Sequence, residues 1–145
     1  MDYKYSICYP DKEQIEYVDT PISGNEVLTI AKNHEWLEQL KLCETLDQNK
    51  VYYSPSLDFK CLNSERSFGL TADFNKEKEL EFSLWYRRPK KVKILFGLLG
   101  EFEKMVVDDV WNYNFKEAIK YLEYFVKRDY KILENLYEKW HHTIE

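Results

Sequence analysis

The chain is poor both in residues that break regular structure and in residue patterns that announce chemistry. It has 4 glycines and 4 prolines among 145 residues, too few for a collagen-like, linker-rich or disordered class. Its three cysteines, Cys8, Cys43 and Cys61, are odd in number and far apart. That argues against a disulfide framework and fits reduced thiols in a cytoplasm. The longest strongly apolar run, Ile94 to Leu99, falls far short of the roughly 20 residues a membrane-spanning helix needs. The start Met1-Asp2-Tyr3-Lys4-Tyr5-Ser6 is polar from its second residue, so no secretory signal is expected.

Catalytic and metal-binding spacings are missing as well. There is no H-E-x-x-H, C-x-x-C or EF-hand loop and no G-x-S-x-G elbow. Gly97-Leu98-Leu99-Gly100 lacks the lysine and the spacing of a phosphate loop. His141 and His142 are adjacent, and neighbours on a helix point about 100° apart, a poor geometry for one shared ion. His34 falls on the apolar side of a helical pattern and reads as a half-buried, hydrogen-bonded histidine. Cys61, near a strand end, is the best candidate for an exposed thiol, yet nothing nearby would lower its pKa. The expectation is no catalytic residue, no metal and no cofactor.

What the chain has in quantity is aromatic side chains: 12 Tyr, 8 Phe and 4 Trp on a background of net charge −5. The charge is uneven. Residues 1–86 carry 9 basic and 16 acidic side chains, whereas Arg87-Arg88-Pro89-Lys90-Lys91-Val92-Lys93 carries five positive charges and no negative one. An acidic surface repels phosphate backbones, and a single basic loop is a weak nucleic-acid signal, so a nucleic-acid partner is disfavoured.

Hydrophobic periodicity predicts one α+β domain over residues 1–145. Tyr3, Tyr5, Ile7 and Tyr9 alternate with polar residues, and Ile15 and Tyr17 begin a second strand after the turn residues Pro10 to Glu13. Ser23-Gly24-Asn25-Glu26 is a capping box with Ile22 and Val27 in staple positions. It opens a helix that either stops at Asn33, leaving Trp36 to Leu42 as a separate element, or runs on. Residues 51–96 read as strand-rich: Val51-Tyr52-Tyr53, then Leu57, Phe59 and Cys61, then Phe68 to Phe74, and Leu80 to Tyr86. The last two form the clearest hairpin, and the set suggests an antiparallel meander with one wet face. Between Val92 and Val110 a helical stripe competes with Gly97, Gly100 and Val106-Val107, and two strands reversing near Gly100-Glu101 are preferred. Asn114 with Glu117 caps a C-terminal helix, either one long helix or a pair restarting at Asp129, which packs across the sheet.

Asp108-Asp109 followed by Trp111 and Tyr113 is the most suggestive cluster. Just before Asn114, the two carboxylates read most simply as solvated turn residues. The functional alternative is an acidic-aromatic contact patch, because Trp and Tyr dominate interface hot spots and carboxylates steer a basic partner. Trp85 falls on the sheet face opposite Leu80, Phe82, Leu84 and Tyr86. It is expected to be covered by a helix or, failing that, to be functional.

The acidic α+β layout resembles the immunity proteins of bacterial polymorphic-toxin and contact-dependent inhibition systems. The strand Leu80-Glu81-Phe82-Ser83-Leu84-Trp85-Tyr86 with its following basic turn, and the closing helix that begins Phe115-Lys116-Glu117-Ala118-Ile119, contribute to the likeness. The resemblance implies a cytoplasmic, non-enzymatic protein that binds one cognate toxin domain, often a basic nuclease, and occludes its active site. Asp108, Asp109, Trp111, Tyr113 and Trp85 are the expected partner-binding residues. The alternative is a small-molecule binder or hydrolase-like enzyme with an aromatic-lined pocket and an Asp base.

Overall fold

In the computed structural model the described residues are 1–93 and 100–144, with the side chains of Val92, Lys93, Glu101 and residues 141–144 set aside. They form six strands, β1 (Tyr3–Cys8), β2 (Glu16–Ile22), β3 (Ser56–Cys61), β4 (Ser67–Phe74), β5 (Leu80–Lys93) and β6 (Glu101–Tyr113). Four helices accompany them: α1 (Gly24–Asn33), α2 (Trp36–Thr45), α3 (Phe115–Val126) and α4 (Tyr130–Ile144). The sheet is antiparallel throughout, in the order β2-β1-β3-β4-β5-β6. β3 to β6 are the expected meander. The N-terminal hairpin joins it through β1, which leaves β2 and β6 as the edges. No described helix is long and apolar enough to cross a membrane.

Local chemistry sets the helix boundaries. At α1 the Glu26 amide donates to Ser23 Oγ (3.2 Å) and the Ser23 amide donates to Glu26 Oε2 (2.8 Å), satisfying two of the orphan donors at a helix start. Asn114 and Glu117 repeat the arrangement at α3, with distances of 2.8 and 3.1 Å. α1 stops at Asn33 because Trp36 is drawn into the core. Its ring meets Phe82 edge-on at 5.0 Å, and its Nε1 donates to the Ala31 carbonyl (2.9 Å) at the helix end. His34, in the break, is half-buried with Gln39 Nε2 at 3.2 Å, and burial lowers its pKa. At the other end, the C-terminal pattern resolves into two helices. Arg128 takes a left-handed φ of 62°, and the Tyr3 hydroxyl donates to the Val126 carbonyl (3.1 Å), where α3 runs out.

All four helices share one core with a single face of the sheet. That face carries Phe82, Leu84 and Tyr86 from β5, Phe68, Leu70 and Ala72 from β4, and Leu57, Phe59 and Cys61 from β3, each with at most 1% of its surface exposed. Phe125 of α3 is the hub: it stacks on Phe68 (5.6 Å) and meets Tyr3, Tyr86 and Tyr130 at 5.8 to 6.4 Å. Much of the aromatic surplus is therefore core, as alternation implies.

Several expectations need correction. Cys61 is buried, not an exposed thiol, because its position continues the core parity of Leu57 and Phe59. Val51 to Tyr53 pair with no strand, and β3 begins only at Ser56. The basic segment is not a loop or turn but the second half of β5, paired with β6 from Pro89↔Met105 to Lys93↔Glu101. β4 leaves β5 at Arg87, so this half pairs only with β6 as a two-stranded ribbon. Lys91 is there in register with Glu103, which offsets part of the positive charge. The preferred two-strand reading of Val92 to Val110 holds. Of its reversal only Gly100 (φ 85°) is described, and Ile94 to Leu99, with most of the Gly97 to Gly100 segment, lies outside the described residues.

Candidate functional site

Because successive strand residues point to opposite faces, the face away from the helices is built from the odd-numbered residues of β5: Glu81, Ser83, Trp85 and Arg87. One row crosses the whole sheet in direct register: Tyr17 with Ser6, Ser6 with Asp58, Asp58 with Gly69, Gly69 with Trp85, and Trp85 with Asp109. Trp85 is 40% exposed and Tyr17 69%, so neither is covered by a helix. The expectation of a covering helix for Trp85 fails because all the helices pack on the other face.

Gly69 is the low point of that row. A Cβ added there would lie 2.9 Å from Asp58 Oδ1 and 3.6 Å from Trp85 Cβ, so the Asp58 carboxylate lies down over the glycine backbone towards the indole. Asp58 is exposed as a residue, with one carboxylate oxygen turned in over the Gly69 backbone. Burial raises its pKa, and Lys60 acts in the opposite direction. Among the described residues no hydrogen bond or ion pair within 4 Å reaches this carboxylate. It borders two adjoining clefts on the open face, of about 350 and about 240 Å³.

The other feature is the end of the sheet where β6 turns into α3. Phe82 pairs with Tyr113 and Leu84 with Val110, so β6 carries one extra residue there, a bulge. Asn112 absorbs it with φ 74°, a conformation asparagine tolerates. The bulge re-aims the aromatics. Trp111 meets Trp140 of α4 edge-on at 5.2 Å while staying 39% exposed. Tyr113 packs between Tyr121 (5.4 Å) and Trp140 (6.0 Å). Burial, with the neighbouring Tyr121 and Glu117, pushes the Tyr113 pKa up to about 12, so its phenol is neutral at physiological pH. A cleft of about 560 Å³ opens beside it, with Glu77, Glu79, Glu81 and Glu117 among its walls. A second, of about 230 Å³, places Trp111 beside Asp73, Glu81 and Ser83.

The predicted pair Asp108-Asp109 is not a solvated turn. Both residues lie in β6 and point to opposite faces. Asp108 faces the helices, where it forms an ion pair (3.2 Å) with Arg88, itself only 3% exposed. The Arg88 guanidinium lies between the rings of Tyr86 (5.9 Å) and Tyr137 (5.6 Å). Asp108 is thus committed to the structure and leaves the expected contact patch. Asp109 stays in it, half-buried beside Trp85. Of the five expected residues, Trp85 and Asp109 pair on the open face, and Trp111 and Tyr113 lie beyond them at the bulge, against Trp140 of α4.

Comparison with known proteins returned no match to a family model, to a curated protein or to a solved structure. The site therefore stands on its own chemistry. Among the described residues no group of three or more His, Cys, Asp or Glu side chains is placed to hold a metal ion. Burial raises the thiol pKa of Cys8 and Cys43, the reverse of an activated nucleophile. What the arrangement offers is aromatic surface beside carboxylates, suited to binding a basic surface.

Sequence reasoning missed Asp58, Gly69 and the carboxylates Glu77, Glu79 and Glu81. A glycine inside a well-formed strand pattern was the available signal, since it marks a close approach or a gap on the sheet.

Proposed function

We propose that the protein is a non-enzymatic binding module of the immunity-protein type, which acts in the bacterial cytoplasm and neutralises a cognate toxin domain by covering its active site. The observation that carries this reading is the juxtaposition of Trp85 and Asp109 on an uncovered sheet face, next to the acidic clefts around Trp111 and Tyr113. Rigid aromatics held by strands supply contact area at low entropic cost, and carboxylates of one sign steer a basic partner and select against acidic ones. A basic nuclease domain, whose own ligand is a polyanion, fits that pattern. On this reading the basic ribbon lies outside the contact.

Charge reversal tests it. Asp109→Lys combined with Glu81→Lys is expected to slow association with the partner about tenfold or more at low ionic strength, with a smaller effect at high salt. Unchanged association kinetics would remove this end of the sheet from the interface.

A further inference from the structure

The notch at Gly69 has a chemistry more specific than an acidic patch. We propose that it is a receptor for the guanidinium of a partner arginine, which would lie on the Trp85 indole and bond to the Asp58 carboxylate. β3 and β5 flank β4, so Asp58 and Trp85 stand about 10 Å apart at the backbone, with only a glycine between them. The glycine lets the carboxylate lean across, its Oδ1 2.9 Å from the position of a Cβ, while Trp85 bounds the other side. The Trp85 indole has a carboxylate on both flanks, Asp58 beyond Gly69 and Asp109 directly opposite.

An arginine side chain answers each of these features. Its planar group stacks on an indole face, its charge interacts with the ring, and its fork of donors matches a carboxylate. Lys60 and Arg87 share the smaller cleft with Asp58, and Lys4 and Lys60 the larger, but among the described residues none of them makes an ion pair with Asp58 and no cation lies over the Trp85 ring. The Asp58 carboxylate has no ion pair of its own among the described residues, and an arriving guanidinium supplies a charge-assisted one. Tyr17, exposed at the far end of the same row, extends the contact surface beyond the notch.

The inference rests on the protein-binding reading for the source of the arginine, but the notch can be tested alone. The probe is arginine capped as its N-acetyl, N-methylamide derivative, titrated into the full chain and followed by the indole N–H signal of Trp85 in NMR. Capped citrulline, of the same shape without the charge, is the control. Gly69→Ala is the key variant. Its Cβ displaces only the end of a flexible side chain and otherwise meets Leu57 O and Trp85 Cβ at ordinary distances of 3.5 and 3.6 Å, so the fold is retained.

The expected result is a saturable shift with capped arginine, none with capped citrulline, and binding about tenfold or more weaker in Gly69→Ala and in Asp58→Asn. An equal response to capped citrulline, or wild-type binding by both variants, would overturn the proposal. The charge-reversal experiment on a protein partner reports separately on the protein-binding reading, so either can fail without the other.

Discussion

Asp108 and Asp109 are neighbours with opposite tasks, and substitution separates them. Asp108→Ala leaves the Arg88 guanidinium buried without its counter-ion and is expected to cost about 3 kcal/mol, measured by denaturant unfolding. Asp109→Ala, on the open face, is expected to stay within about 0.5 kcal/mol. Equal effects of the two would contradict the assignment of faces. Replacing the pair together, Arg88→Met with Asp108→Leu, should recover most of the loss, because matched apolar residues remove the desolvated charges altogether.

Asp58 behaves differently again. Its folded-state pKa is raised by burial, so the folded state binds a proton more readily than the unfolded chain. Its ionised form therefore works against folding once the pH has risen through that folded-state pKa, and this effect is absent below the unfolded value near 3.8. Asp58→Asn is accordingly expected to raise Tm at pH 7 and to make no difference below that value. A variant less stable than the wild type at pH 7 would show that the carboxylate is satisfied and that the notch has been misread. A carboxylate that costs stability and has no bonding partner of its own is a candidate binding residue.

At the scale of elements, features written in four consecutive residues were legible and features set by tertiary packing were not. Ser23 to Glu26 and Asn114 to Glu117 specify both helix starts, because a capping box closes on itself. Asn114→Ala is expected to cost about 1 kcal/mol. A loss below about 0.3 kcal/mol by equilibrium unfolding would mean that α3 is held by packing alone. The alternation in β3, β4 and β5 identified the core face residue by residue, Phe59, Phe68 and Phe82 among them. Alternation names two faces, however, and does not say which one the helices take, and Trp85 was misjudged for that reason. Asp108 and Asp109 were placed in a turn because they closely precede the Asn114 cap, whereas β6 runs on to Tyr113 through a bulge at Asn112 that a period-2 pattern does not show. Cys61 was expected to be exposed because it lies near a strand end, but the alternation it shares with Leu57 and Phe59 decides its place and buries it with them.

For the molecule as a whole, the layout divides labour between two sides. Helices and sheet bury the aromatic core on one face, and the other presents Tyr17, Asp58, Trp85 and Asp109 in one row, with an acidic end beyond them. The row could not be found in the sequence, since its six members come from six strands and meet only through the pairing order; Gly69 within its strand pattern was the one sign of the notch. The most direct test of the proposed partner-binding face is parallel affinity capture from the native cell extract with the wild-type chain and with a Trp85→Ser, Trp111→Ser variant that keeps the wild-type melting behaviour. The account predicts one basic protein, held stoichiometrically by the wild type, released by raised salt and absent from the variant. Equal retention of that protein by both chains, or retention that salt does not weaken, would contradict it.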